Sequence, residues 1–582
     1  MASFRHLRDV TNDMVLWVDA VCINQMDTAE KSQQVALMGQ IYRQCSQVRI
    51  WLGCNVSKCG LFAPIRRVDS MMDEPAKQQD PFNLIRHLAE DRHIYEWPCF
   101  KVLSQEKKVQ FEENKIFNDL WEGFVTVAQS AWWSRMWTVQ EVILPKAGVL
   151  TFDTWSTPLE DITKCGAGYY NHVWGCCQHA VAILPQPIGL PLDEFCTSFY
   201  TLHGDRNNLA EDEYFDMQDQ HLSYGHRQCQ DPRDKVYGLL SLIGDISDLD
   251  VWLTPNYSST HNEVFYDATC AMLHRSLRDF KCLTGAEYGP GASKWASWVR
   301  DFEAPFTQTD ADINSNRLMI YNLFDASSGS KGSYEHYMTW PQLADEKPHQ
   351  VALGVTGKCV GTVKSISEHI KEGDPNEYLV QKRHSFEKWM RASSMIDLDE
   401  YDGSQPQSRG VEKFWRTILG GVASTGDVQA SDWRRFTSED MTWLNQFLSW
   451  VKNGEPDLDF ALDRTILIAT HGRCYFQTQN KGQGLCYPKT QIGDEVWVIN
   501  GSKVPFILRK LQLGVDELAE LNPSSTYGVS VDGVYGVIQD SEPRPKKLDA
   551  CYEFIGDCYF DGFMDGEGVY DTSLPNTFIL LL

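Results

Sequence analysis

The sequence predicts an α/β N-terminal domain on a parallel sheet, then a mainly helical region, then a small antiparallel β domain. Three observations carry this. Two short apolar runs flank an amphipathic helix pattern within the first 53 residues, the middle repeats helix-start signals, and after residue 464 short β-type runs alternate with glycines. The expected division is 1–150, 151–460 and 461–582, in keeping with a 582-residue chain and domains of roughly 100–200 residues.

Val15-Leu16-Trp17-Val18-Asp19 running on to Ile23 reads as a strand buried on both faces. Asp27-Thr28-Ala29-Glu30 has capping-box spacing, and Val35, Met38, Ile41, Tyr42 and Cys45 recur at helical intervals. Val48–Gly53 reads as a second strand, completing a βαβ unit. A further helix is expected over 115–131, with Phe117, Leu120, Trp121, Phe124 and Ala128 on one face, followed by helix from Trp132 to Pro145. In the middle region, Thr157-Pro158-Leu159-Glu160, Asp231-Pro232-Arg233-Asp234 and Thr260-His261-Asn262-Glu263 each place a capping residue ahead of an apolar pattern. Polar stretches near 325–335 and 402–410 read as loops. Towards the end, Arg473–Phe476, Glu495–Ile499 and Phe506–Leu508 read as strands, with turns at Ile492-Gly493-Asp494 and Asn500-Gly501, giving a small barrel or sandwich.

Composition narrows the function. With 53 Lys and Arg against 79 Asp and Glu, the net charge is −26, which argues against general nucleic-acid binding. The 17 cysteines are odd in number and scattered, as in a reducing compartment. No apolar run reaches the roughly 18 residues of a membrane helix, and the first residues lack a signal peptide's apolar core, so a cytoplasmic location is expected.

Leu16-Trp17-Val18-Asp19-Ala20-Val21-Cys22-Ile23-Asn24-Gln25, then Trp51-Leu52-Gly53, then Trp133-Ser134-Arg135-Met136-Trp137-Thr138-Val139-Gln140-Glu141 form the most specific constellation. With Asp231–Tyr237 downstream, it resembles the fungal heterokaryon-incompatibility (HET) domain family. Trp295–Asp301, Gly493-Asp494, Gly556–Tyr559 and Gly562–Glu567 resemble segments of that family's middle and C-terminal regions. One departure is the absence of the family's upstream Ser-Tyr-x-Trp-Gly strand: either the sheet is a strand short, or the sequence is truncated there, or residues elsewhere substitute. The resemblance implies non-self recognition and regulated cell death, with other proteins or further copies of the chain as partners. It also implies a remote likeness to TIR domains and their flavodoxin-like sheet.

Asp19 is placed at the carboxyl end of the expected first strand, where open parallel sheets bind ligands. Glu141 shares a helix face with Trp137, whose indole would raise the carboxyl pKa. In TIR enzymes a Trp-x-x-x-Glu helix supplies the glutamate that cleaves the nicotinamide–ribose bond of NAD. The resemblance therefore implies Glu141 and Asp19 as a catalytic pair, with Trp137, Arg135, Cys22 and Asn24 near a nucleotide or other small-molecule ligand. NAD would be a substrate, and no cofactor is expected. A third expectation is recruitment as a tailoring enzyme for an apolar metabolite, drawn from 19 Trp, 27 Phe and 23 Tyr.

Other clusters read as structure. Asp231–Lys235 reads as a capped helix start in preference to a phosphate site through Arg233. Cys165, His172, Cys176, Cys177 and His179 match no standard zinc spacing, so no metal site is expected. Asp310, Asp312, Asn314 and Asn316 lack the glycine and glutamate of a calcium loop, and Asp212, Glu213 and Asp216 read as a solvated acidic run. No P-loop, Gly-x-Gly-x-x-Gly, nucleophile elbow or His-Glu-x-x-His is present.

Overall fold

The computed structural model describes residues 15–54, 66–67, 79–103, 109–211, 215–244, 253–276, 279–284, 296–305, 307–330, 334–338, 351–370, 375–393, 409–426, 433–455, 458–512, 527–529, 535–537 and 550–582. The polar stretch expected as a loop near 402–410, the acidic pair Asp212-Glu213 and Trp295 fall wholly or mostly outside them. The chain divides into two units, 1–264 with 306–308, and 265–305 with 309–582.

In the first unit the Thr28–Gln44 helix forms as its pattern requires. Asp27 caps it, accepting hydrogen bonds from the Ala29 and Glu30 amides, and Val35 and Met38 are buried. Val48–Gly53 is a strand and pairs in parallel with Gly148–Phe152. The expected first strand is not one. Residues 15–18 are irregular and Asp19–Cys22 is one helical turn. An apolar run becomes a strand buried on both faces only if both faces are covered, and here Val15 is 99% and Val21 69% exposed.

The sheet is mixed, in the order Val48–Gly53, Gly148–Phe152, Trp155–Pro158, Arg66–Arg67. Its outer pairs are parallel, but a two-residue turn with Asp153 in the left-handed region (φ 53°) folds the central pair into an antiparallel hairpin. The all-parallel sheet expected from the sequence is thereby corrected. The Lys115–Ala128 helix buries Phe117, Leu120, Phe124 and Val127. The long helix expected from Trp132 is shorter: residues 131–137 are turns, and only Thr138–Ile143 is helical. Two long helices, Leu159–Val173 and Gln186–Ala210, pack together, and Leu159–Val173 also packs on Asn83–Ala89. A Cβ on Gly168 would lie 1.9 Å from the Leu88 carbonyl oxygen, so only glycine permits that approach.

The second unit holds helices and a nine-stranded sheet. Part of that sheet closes: Val351–Ile366, Glu495–Ile499, Phe506–Lys510, Cys551–Asp557 and Thr577–Leu581 pair in sequence and return to Val351–Ile366, a five-stranded barrel. Val360, Val363, Phe476, Val496, Val498 and Ile507 belong to one buried apolar cluster on this sheet. Gly493 (φ 100°) and Gly501 (φ 93°) make the expected turns. Tyr334–Met338 and the 16-residue strand Val351–Ile366 lie inside the stretch read as helical. Val, Thr and Ile recur there, and β-branched side chains fit a pleated surface better than a helix. Trp97, Trp298, Trp389 and Trp415 are fully buried in the core. Among the described residues no helix is long and apolar enough to cross a membrane.

Candidate functional site

The first unit carries an open cavity of about 1020 Å³. One wall is the turn at Asp19 and the Thr28–Gln44 helix, which contributes Lys31, Val35 and Met38. The other is Arg135 and Trp137 with the 228–234 segment and Tyr257.

Two sequence motifs meet to build that second wall. The Met136 amide donates to the Gln228 carbonyl at 2.8 Å, and the Gln228 amide donates to the Ser134 carbonyl at 2.6 Å. The buried Gln140 side chain donates to the Gly238 carbonyl at 2.8 Å, and the buried Arg227 guanidinium donates to the Trp133 carbonyl at 2.7 Å. Trp137 Nε1 donates to Asp234 Oδ2 at 3.0 Å, while the Tyr257 hydroxyl donates to Asp234 Oδ1 at 2.5 Å. Burial raises the Asp234 pKa, and these two hydrogen bonds oppose the rise.

Asp231 and Arg233 pair through two contacts of 2.9 and 2.8 Å. Arg233 Nη1 also donates to the Tyr257 and Ser259 carbonyls, each at 2.6 Å. The structural reading of this motif therefore holds: Arg233 is occupied internally and frames the cavity. The helix begins at Asp234, later than the capping pattern suggested, because Asp231 spends its carboxylate on the Arg233 amide and guanidinium. Lys31 lies 3.7 Å above the Tyr257 ring and 3.5 Å from Asp231.

Asp19 and Glu141 come within electrostatic reach of one another. Burial pushes the Glu141 carboxyl up to about 7; Arg135 and a hydrogen bond from Trp132 pull it down, and Asp19 pushes it further up. Tyr42 feels both acids: burial first, then Glu141 and Asp19, raise its pKa well above the ordinary value. Trp17 packs edge-on against Tyr42 with ring centroids 6.2 Å apart, which holds the Asp19 turn on the helix.

The indole beside Glu141 differs from the expected one. Trp132 Nε1 donates to Glu141 Oε2 at 3.2 Å, whereas Trp137 turns to Asp234. Residue 137 caps the short helix from a turn, so the spacing of four does not bring its ring onto the carboxylate. Asp19, Arg135 and Trp137 line the cavity; Glu141 is partly buried and is not among the lining residues. Cys22 and Asn24 are exposed and also do not line it. Asn24 Oδ1 accepts from the Met26 amide at 3.2 Å, and the Asn24 amide donates to Glu30 at 3.0 Å, so Glu30 closes this turn and not the box expected with Asp27. Tyr42, Trp132 and Tyr257 were missed by the sequence; only the i, i+4 placement of Met38 and Tyr42 on one helix face hinted at the first.

Residues 2–141 match the family model described as heterokaryon incompatibility protein (HET). Over 99% of its length it is similar, at 22% identity, to heterokaryon incompatibility protein 6, OR allele, of Neurospora crassa, covering 85% of that protein. No solved structure matches the chain. The matched region supplies the Asp19 turn, the Thr28–Gln44 helix and the Arg135–Trp137 wall, while residues 228–257 complete the cavity from beyond it.

Proposed function

We propose that this protein acts in heterokaryon incompatibility, with the N-terminal cavity as the effector site through which non-self recognition triggers growth arrest and cell death. One observation carries the reading: similarity to an incompatibility protein extends over 99% of the chain, and the HET motifs converge on one cavity. The cavity mixes polar and apolar side chains and charges of both signs, with Asp19 on one wall and Arg135 and Trp137 on the other. That suits a small polar ligand, a nucleotide among them, or an inserted peptide segment. Self-association or a second protein would present the trigger. The direct test is inducible expression of the full chain in a filamentous fungus, scoring death of hyphal compartments with a vital dye. Death is expected on induction; normal growth at matched protein levels contradicts the reading.

A second reading, NAD cleavage, is favoured by one feature: a carboxyl with pKa near 7 beside a second acid at the cavity edge. The bond between nicotinamide and ribose would break, nicotinamide would leave neutral, and water would capture the ribosyl cation, releasing ADP-ribose and a proton. A carboxylate near the sugar would stabilise that cation. The reading requires Glu141 to reach a cavity whose wall is made by Asp19, Arg135 and Trp137. Nicotinamide release from NAD by the purified chain tests it, and turnover equal in wild type and Glu141→Gln rejects it. Killing that survives Glu141→Ala favours the non-enzymatic effector.

A further inference from the structure

Within one stretch of chain, the intervals from Cys165 to His179 match no standard zinc spacing. The fold adds a residue 83 positions before Cys176. His93 Nδ1 lies 3.1 Å from Cys176 Sγ and 3.8 Å from Cys177 Sγ. His172 Nδ1 lies 3.2 Å from Cys176 Sγ and 3.6 Å from Cys177 Sγ. The two sulfurs are 3.7 Å apart. All four ligand atoms fall within 4.8 Å of one another.

We propose that His93, His172, Cys176 and Cys177 form a structural zinc site. With Zn–S near 2.3 Å and Zn–N near 2.0–2.1 Å, tetrahedral geometry sets ligand-to-ligand edges of about 3.3–3.8 Å. The five separations given above run from 3.1 to 3.8 Å and bracket that range. Two thiolates and two imidazoles in this arrangement select zinc over the harder cations, and four protein ligands leave no open position for catalysis.

The surroundings are those of a metal site. His172 is buried, and its outer nitrogen lies 3.5 Å from Asp91 Oδ1, the carboxylate placement that orients a ligating imidazole. Asp91 holds a left-handed backbone (φ 55°) and is anchored by Asn171 at 3.3 Å. Cys176 is exposed and gives the ion a route in. The four ligands tie the end of the Leu159–Val173 helix and the start of Gln178–Ala182 to the turn after Asn83–Ala89, so the ion would staple that helical layer.

Metal analysis of the full-length protein tests this, with and without chelation, followed by cobalt reconstitution. One zinc per chain is expected. The cobalt form should show sulfur-to-cobalt charge transfer and the strong visible bands of a tetrahedral centre. His93→Gln and Cys176→Ser, the latter at an exposed position, should each weaken zinc binding by at least roughly 100-fold, and Asp91→Asn by roughly tenfold. If a variant fails to fold, the wild-type cobalt spectrum decides alone. A wild-type chain that retains no metal after zinc loading overturns the proposal, as does a cobalt spectrum lacking sulfur charge transfer, or unchanged zinc content in folded His93→Gln.

Discussion

The indole N–H of Trp137 donates to Asp234 across 97 residues of sequence, and Tyr257 donates to the other oxygen of the same carboxylate. One acid thereby fixes two aromatic side chains on the same wall of the cavity. Asp234→Ala leaves both donors without a partner, and an orphaned polar group costs about 1–3 kcal/mol. Urea unfolding should show a loss of that size, and hyphal killing should fall with it. An unchanged unfolding midpoint would show that the pair contributes nothing.

Glu141 makes stability depend on pH. Its folded pKa, about 7, lies above its ordinary 4.5, so the folded state holds the proton more tightly. The stabilisation is full below about pH 4.5 and lost as pH rises through about 7. Partial exposure screens the effect to about 1–2 kcal/mol. Glu141→Gln keeps an acceptor for Trp132 and removes the titration. Its melting temperature should exceed wild type at pH 8 and match it near pH 5; equal differences at both values would assign the effect to something else.

Gly168 faces the Leu88 carbonyl where a Cβ would sit at 1.9 Å, and the obstacle is backbone, which cannot rotate away. Gly168→Ala should cost about 3 kcal/mol by chemical denaturation. Near-wild-type stability would mean that the Asn83–Ala89 and Leu159–Val173 helices do not meet at this spacing.

In the second unit Asp557 is buried, paired with Arg473 at 2.6 Å, and accepts hydrogen bonds from the Tyr321 and Tyr487 hydroxyls. Removing one partner of a buried pair leaves the other charge uncompensated, at about 3–5 kcal/mol. Asp557→Ala should therefore lower the second unit's unfolding transition or yield insoluble protein. A soluble variant with an unshifted transition would contradict the pairing.

Local signals were legible where one residue type decides the outcome. The Asp27 cap, the Thr28–Gln44 helix, the Lys115–Ala128 helix and the turns at Gly493 and Gly501 all formed as read. What failed depended on distant partners. Val15–Ile23 has a strand's composition but mostly exposed side chains, and Trp137 turned from Glu141 towards an acid 97 residues away. Long-range partnership leaves no period in the sequence, so Asp19 and Glu141 were found through motif resemblance, while Tyr42, Trp132 and Tyr257 emerged only when the chain folded.

The cavity bounded by Asp19, Arg135 and Trp137 is proposed as the place where the protein exerts its effect. Arg135 is exposed on that wall, so Arg135→Ala tests the site with little disturbance to the core. The measurement is the fraction of hyphal compartments killed after induction, at matched protein levels, in wild type and Arg135→Ala. At least a tenfold fall in killing by a variant with wild-type melting temperature is predicted; undiminished killing would contradict the account.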